Sequence, residues 1–208
     1  MTAAQTINGA LRKLPIWPIY LIGALPPVWY FYLGLTGGLG VEPIKEFEHR
    51  LGILGLQMLI AVLAVTPLRN LTKVSLIRFR RAMGLLTFYY IAAHLAVWLF
   101  LDVQIAAQIW ADIVKRPYIT IGMVGFVLMI PLAITSNNLS VRKLGARWRK
   151  LHKLVYPIAL LGAVHFVMLR KGWQIEPLLY LAGIALLLAL RLPILRRVGW
   201  PMRPARQG

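Results

Sequence analysis

The chain has 208 residues, of which 59% are hydrophobic, contains no cysteine, and carries a formal net charge of +18; its mean hydropathy is +0.69. That balance leaves too little polar surface for a water-soluble domain, and the missing thiol excludes disulfides, thiolate metal sites, iron–sulfur clusters and Cys-attached haem. The Lys and Arg residues fall in short gaps between apolar runs, not on a soluble face or arm, so the charge does not point to nucleic acid.

Six apolar segments, each near the ~18–20 residues that cross a bilayer, are expected at 14–35, 51–68, 82–101, 118–135, 152–170 and 176–195. The first follows Arg12 and Lys13 as a signal peptide would, but it lacks a small-residue cleavage pattern and reads as a retained helix. Trp17, Trp29, Tyr30, Tyr118, Trp173 and Tyr180 lie near segment ends, where interfacial aromatics gather. Gly37, Gly38 and Gly40 lack the Lys-Ser/Thr of a phosphate loop and read as an outer turn. Asn137 to Ser140 reads as a polar loop ending the fourth segment. The fold class is an all-α membrane protein, a six-helix bundle forming a single transmembrane domain over residues 1–208.

Charge sets the expected orientation. Eighteen of the 24 Lys and Arg fall on the side that holds both termini, and 6 fall on the other side together with all 6 acids. The positive-inside bias places both termini in the cytoplasm. Most of the net charge is then topology signal and attraction to anionic membrane lipid.

Four histidines carry the functional argument. His94 lies in the third segment and His165 in the fifth, both in the outer half of the bilayer at matching depth. An imidazole at that depth is costly without a partner. Two imidazoles facing across a bundle are one way to hold haem iron from both sides; a hydrogen bond to a neighbouring helix is the plainer alternative. No acid lies within either segment, which weakens non-haem iron or copper and removes Ser–His–Asp chemistry. His152 precedes His165 by 13 residues, a rise of ~20 Å, which sets it at the inner face. Arg80 stands at the corresponding level of the third segment, where it is a candidate inner haem partner, a propionate contact, or one more positive-inside charge. On an ideal helix His152 and His165 point roughly 140° apart, so they share a face only if Pro157 distorts the interval. His49, after Glu48, reads as a solvated or loop-capping residue, with an outer quinone site or a haem contact as alternatives.

Nearly the whole chain resembles the MsrQ (YedZ) family, within the ferric reductase-like transmembrane superfamily. The resemblance rests on Gly37–Lys45, Thr66–Arg69, Arg80–Leu85, Arg116–Gly122, Lys150–Tyr156 and His165. It implies a haem-binding subunit in the bacterial inner membrane, holding one or two b-type haems with His94 and His165 as outer iron ligands and His152 as the inner candidate. It further implies electron transfer from the quinone pool to a periplasmic molybdopterin-containing MsrP-type reductase that repairs oxidised methionine; the dense basic loops on the cytoplasmic side offer a cytoplasmic flavin reductase as the alternative donor. The chain would then be an electron-transfer subunit and not the catalytic sulfoxide reductase. FMN enters through the family alone, because no flavin-binding signature is present. Relatives in the superfamily carry a second histidine on the third helix, where this sequence has Arg80, and that departure questions a bis-histidine inner haem. Acidic loops at 36–50 and 102–116 are expected to face the periplasmic partner. The rivals are a stand-alone ferric or quinone reductase and a haem-free transporter or assembly factor.

Overall fold

The computed structural model describes residues 2–170 and 174–191, and every regular element among them is helical. In chain order these are α1 (Ala3–Lys13), α2 (Trp17–Leu35), α3 (Pro43–Thr72), α4 (Arg80–Val97), α5 (Ala106–Lys115), α6 (Pro117–Ile134), α7 (Asn138–Leu144), α8 (Ala146–Leu151), α9 (Val155–Leu169) and α10 (Ile175–Ala189). Five segments are long and apolar enough to cross a membrane: Trp17–Leu35, Pro43–Thr72, Ile77–Val103, Pro117–Ile134 and Ala146–Leu169. The sixth apolar segment is the 15-residue α10, ~22 Å long against a hydrocarbon core of ~30 Å. Its expected continuation over 192–195, together with Lys171, Trp173, Arg196, Arg197, Arg203 and Arg206, lies outside the described residues.

Several boundaries differ from expectation. The first segment does not start at Leu14: α1 is a separate helix, closed by reciprocal hydrogen bonds between Thr2 and Gln5 at its start, and α2 begins only at Trp17, after Pro15. The second segment starts eight residues before position 51, at Pro43, so part of the expected acidic loop 36–50 is helix. There Glu42 pairs with Lys45 and Glu46 with Arg50, at 2.8 and 2.6 Å. The expected acidic loop 102–116 holds the amphipathic α5, whose Trp110 and Val114 are exposed. The Asn137–Ser140 stretch is not a plain loop, because the Asn137 side chain caps α7 by accepting from the Ser140 N–H at 2.8 Å. Before α9 the chain tightens to a 3₁₀ turn over His152–Leu154, so the distortion expected at Pro157 begins at His152 itself.

In lipid, helices gain little from hydrophobic burial and associate through close packing and satisfied polar groups. The core between α3, α6, α9 and α10 combines Leu56, Leu59, Leu63, Met129, Ile158 and Ile184 with the fully buried Ala159 and Ala163. A second cluster of Leu39, Phe47, Leu51 and Val97 closes the end where α3 begins. Prolines inside helices leave carbonyls four residues earlier without an N–H, and two of these receive side-chain donors from distant parts of the chain. Pro27 frees the Gly23 carbonyl, which accepts from the Tyr90 hydroxyl at 2.6 Å. Pro67 frees the Leu63 carbonyl, which accepts from Nη2 of Arg191 at 2.5 Å. Arg191 also donates to the Tyr156 hydroxyl at 3.0 Å, so it ties α10 to α3 and α9.

Candidate functional site

Two helix pairs build the site, with α4 packed along α3 and α9 packed along α6. On α4, Nδ1 of His94 lies 2.8 Å from the Glu48 carbonyl oxygen of α3. On α9, Nδ1 of His165 lies 2.7 Å from the Tyr118 carbonyl oxygen of α6. A carbonyl only accepts, so each Nδ1 carries a proton, and in the neutral ring each Nε2 keeps its lone pair.

The same local device admits both rings. Gly52 follows Glu48 by four residues and Gly122 follows Tyr118 by four, so each glycine is the helical donor to the carbonyl concerned. The missing side chain opens a notch through which the imidazole reaches that carbonyl. A Cβ at Gly52 would stand 3.2 Å from Nδ1 of His94, and one at Gly122 would stand 2.8 Å from Nδ1 of His165.

Held in this way, the two rings stand 6.4 Å apart between centres, at 84° to each other. A metal bound at ~2 Å by an imidazole nitrogen on each side, with ~1 Å from nitrogen to ring centre, sets the centres ~6 Å apart. The rings border a cavity of about 800 Å³, within the ~300–1,000 Å³ typical of cofactor pockets. Ile53, Leu56, Ile91, Phe126, Ile158 and Phe166 give it apolar walls, and Glu42, Lys45, Glu46, Glu48, Asp102, Arg116 and Arg170 also line it. No cluster of three His, Asp or Glu side chains able to hold a bare ion occurs among the described residues. The donor set therefore suits a metal whose remaining ligands arrive with a large planar group. The two imidazoles and the apolar walls fit haem.

His49 is not a solvated loop residue. It lies within α3, half-buried at the cavity wall, and its Nε2 accepts from Nη2 of Arg170 at 2.7 Å. Glu48, which sequence reasoning did not single out, sets its carboxylate 4.0 Å from Nε2 of His94. Gly52, Gly122 and the Tyr118 carbonyl were likewise missed. The shared four-residue spacing is a signal for them, but it becomes readable only once each helix's partner is known.

The structure does not bring His152 and Arg80 to this cavity. His152 stacks on Trp148 at 3.9 Å between ring centres, and its Nε2 lies 3.0 Å from the Thr135 hydroxyl. The guanidiniums of Arg80 and Arg81 are its charged neighbours, yet no hydrogen bond joins Arg80 to the ring among the described residues.

A family model described as "Ferric reductase like transmembrane component" matches residues 51–163. A protein of Agrobacterium fabrum named protein-methionine-sulfoxide reductase heme-binding subunit MsrQ is 53% identical over 178 residues, covering 85% of this chain and 83% of its own length. The chain belongs to the MsrQ family. Proteins of the same name from Brucella anthropi and Brucella ovis are each 52% identical. The first alignment covers 85% of this chain and 81% of the relative, the second 91% and 87%. No solved structure matches the chain significantly. The region matched by the ferric reductase-like family model contains His94, Gly52 and Gly122, and His165 follows it by two residues.

Proposed function

We propose that this chain is a b-type haem electron carrier of the bacterial inner membrane, with His94 and His165 as iron ligands. The observation that carries this reading is the pair of imidazoles, each oriented by a backbone carbonyl and set 6.4 Å apart beside an apolar cavity. A hydrogen bond from Nδ1 fixes the tautomer and the ring orientation and makes the opposite nitrogen a better ligand. Haem bound there supplies one-electron oxidation and reduction. The chain's own residues hold the ligands, keep the pocket apolar through Ile91, Phe126 and Phe166, and set Arg170 and Arg116 at its rim, where guanidiniums suit propionates.

On this reading residues 1–208 form one six-span unit with both termini cytoplasmic, and α10 belongs to the sixth crossing. Electrons arrive from the quinone pool or a cytoplasmic flavin donor and leave to a periplasmic molybdopterin-containing methionine sulfoxide reductase. The names of the relatives support the link to methionine sulfoxide reduction. A second haem between His152 and Arg80 requires His152 to surrender its Thr135 contact or to bind through Nδ1. FMN has no support beyond the family resemblance.

The test is reconstitution in proteoliposomes with a reduced quinone inside the bilayer and the purified partner reductase outside. Methionine sulfoxide reduction is expected with the wild-type chain and should fall to the background of empty liposomes with His94→Ala. Equal turnover in the two preparations would overturn the proposed route.

A further inference from the structure

The bundle end opposite His94 and His165 holds a second cavity that the proposed electron carrier does not use. It measures about 480 Å³ and lies beneath α1, against the end of α3 and the turn into α4. Arg12, Arg69 and Arg78 line it, with Asn8 and Ser75 beside them, and among the described residues no carboxylate does. Its walls are tied together. The Asn8 amide donates to the Lys73 carbonyl and its oxygen accepts from the Ser75 N–H, each at 2.9 Å, which clamps α1 onto the turn. Lys73 holds that turn in the left-handed conformation at φ 63°, and Arg78 donates to the Arg12 carbonyl.

Three guanidiniums around one concavity repel one another unless an anion lies between them. Among the described residues none of them pairs with a carboxylate, and the chain's acids, Glu42, Glu46, Glu48, Asp102, Asp112 and Glu176, all sit at the other end of their helices or in the outer connections. No side-chain carboxylate of the chain is placed to supply that anion, so a source outside the chain fits it. Its surroundings indicate the source: Ile77 lines the pocket and is 42% exposed, and Ile7, Leu14 and Trp17 on the neighbouring α1–α2 segment are 45%, 52% and 63% exposed. Apolar side chains beside a basic rim suit acyl chains below a headgroup.

We propose that this pocket binds the phosphate of an anionic phospholipid headgroup and thereby seats α1 on the membrane surface. The proposal is independent of the haem reading. It is tested by native mass spectrometry of the detergent-purified full chain with dioleoyl phosphatidylglycerol, dioleoyl phosphatidylcholine or inorganic phosphate. The wild type should retain phosphatidylglycerol in preference to phosphatidylcholine. An Arg69→Gln/Arg78→Gln variant should retain it several-fold less, while Arg147→Gln/Arg149→Gln, which removes the same charge from exposed positions of α8, should behave as wild type. Should the first variant fail to fold, Arg12→Gln on the pocket rim should show the same several-fold loss. Equal retention by either pocket variant and wild type, or no preference over phosphatidylcholine, overturns the proposal. Retention of inorganic phosphate without phosphatidylglycerol overturns the lipid assignment and makes the ligand a soluble phosphate.

Discussion

A Cβ at position 122 would stand 2.8 Å from Nδ1 of His165, whereas at position 52 it would stand 3.2 Å from Nδ1 of His94. The first distance forces the ring away from the Tyr118 carbonyl, and the second asks only a few tenths of an ångström. Gly122→Ala should therefore lower haem affinity ~10–100-fold, the usual cost of losing an orienting partner, and Gly52→Ala should cost less. Haem content per protein after purification checks the order, and a larger loss with Gly52→Ala would contradict it. The histidines themselves were legible, because depth can be counted along a helix and an intramembrane imidazole is conspicuous. Their carbonyl partners were not legible, because every residue offers the same backbone acceptor and only packing selects one. His49 was misread for a related reason: its polar sequence neighbours suggested water, but Arg170, 121 residues away at the end of α9, reaches it.

At the scale of elements, proline positions act on distant side chains. Pro67 leaves the Leu63 carbonyl open to Arg191, and an unanswered buried carbonyl in a membrane protein is costly. Arg191→Met should destabilise the protein by ~1–3 kcal/mol. In a Pro67→Ala background the cost should shrink, because the backbone then supplies its own donor. Thermal unfolding of the four proteins in detergent measures the coupling; an identical cost in both backgrounds would show that Arg191 acts through Tyr156 alone. The long apolar helices were readable from hydropathy. Their ends were not, and neither were α1, α7 and α8, because short polar helices depend on local capping and docking. Asn8 on Lys73 and Ser75 and Asn137 on Ser140 are such contacts, and hydropathy carries no trace of them.

For the whole molecule, the uneven distribution of Lys and Arg predicts that α8 and the termini face the cytoplasm. The absence of native cysteine makes this simple to measure. A membrane-impermeant maleimide added to intact spheroplasts should label Val41→Cys, at a fully exposed outer position, and should leave Arg147→Cys unlabelled until the cells are opened. The reverse pattern would invert the bundle and with it the direction of electron transfer. Of the acids that composition assigns to one side, Glu42, Glu46, Glu48 and Asp102 line one cavity, and the ion pairs of Glu42 and Glu46 with Lys45 and Arg50 show that part of this charge is already compensated.

The measurement that bears most directly on the His94–His165 assignment is the visible absorption spectrum of the detergent-purified protein, oxidised and dithionite-reduced. It should be taken for wild type, His94→Ala, His165→Ala and His152→Ala. A b-type spectrum in the wild type that collapses in the His94 and His165 variants is the expected result, with any loss in His152→Ala reporting a second, inner haem. A wild-type protein that stays colourless after haem supplementation, or a spectrum unchanged by replacing His94 and His165, would contradict the assignment.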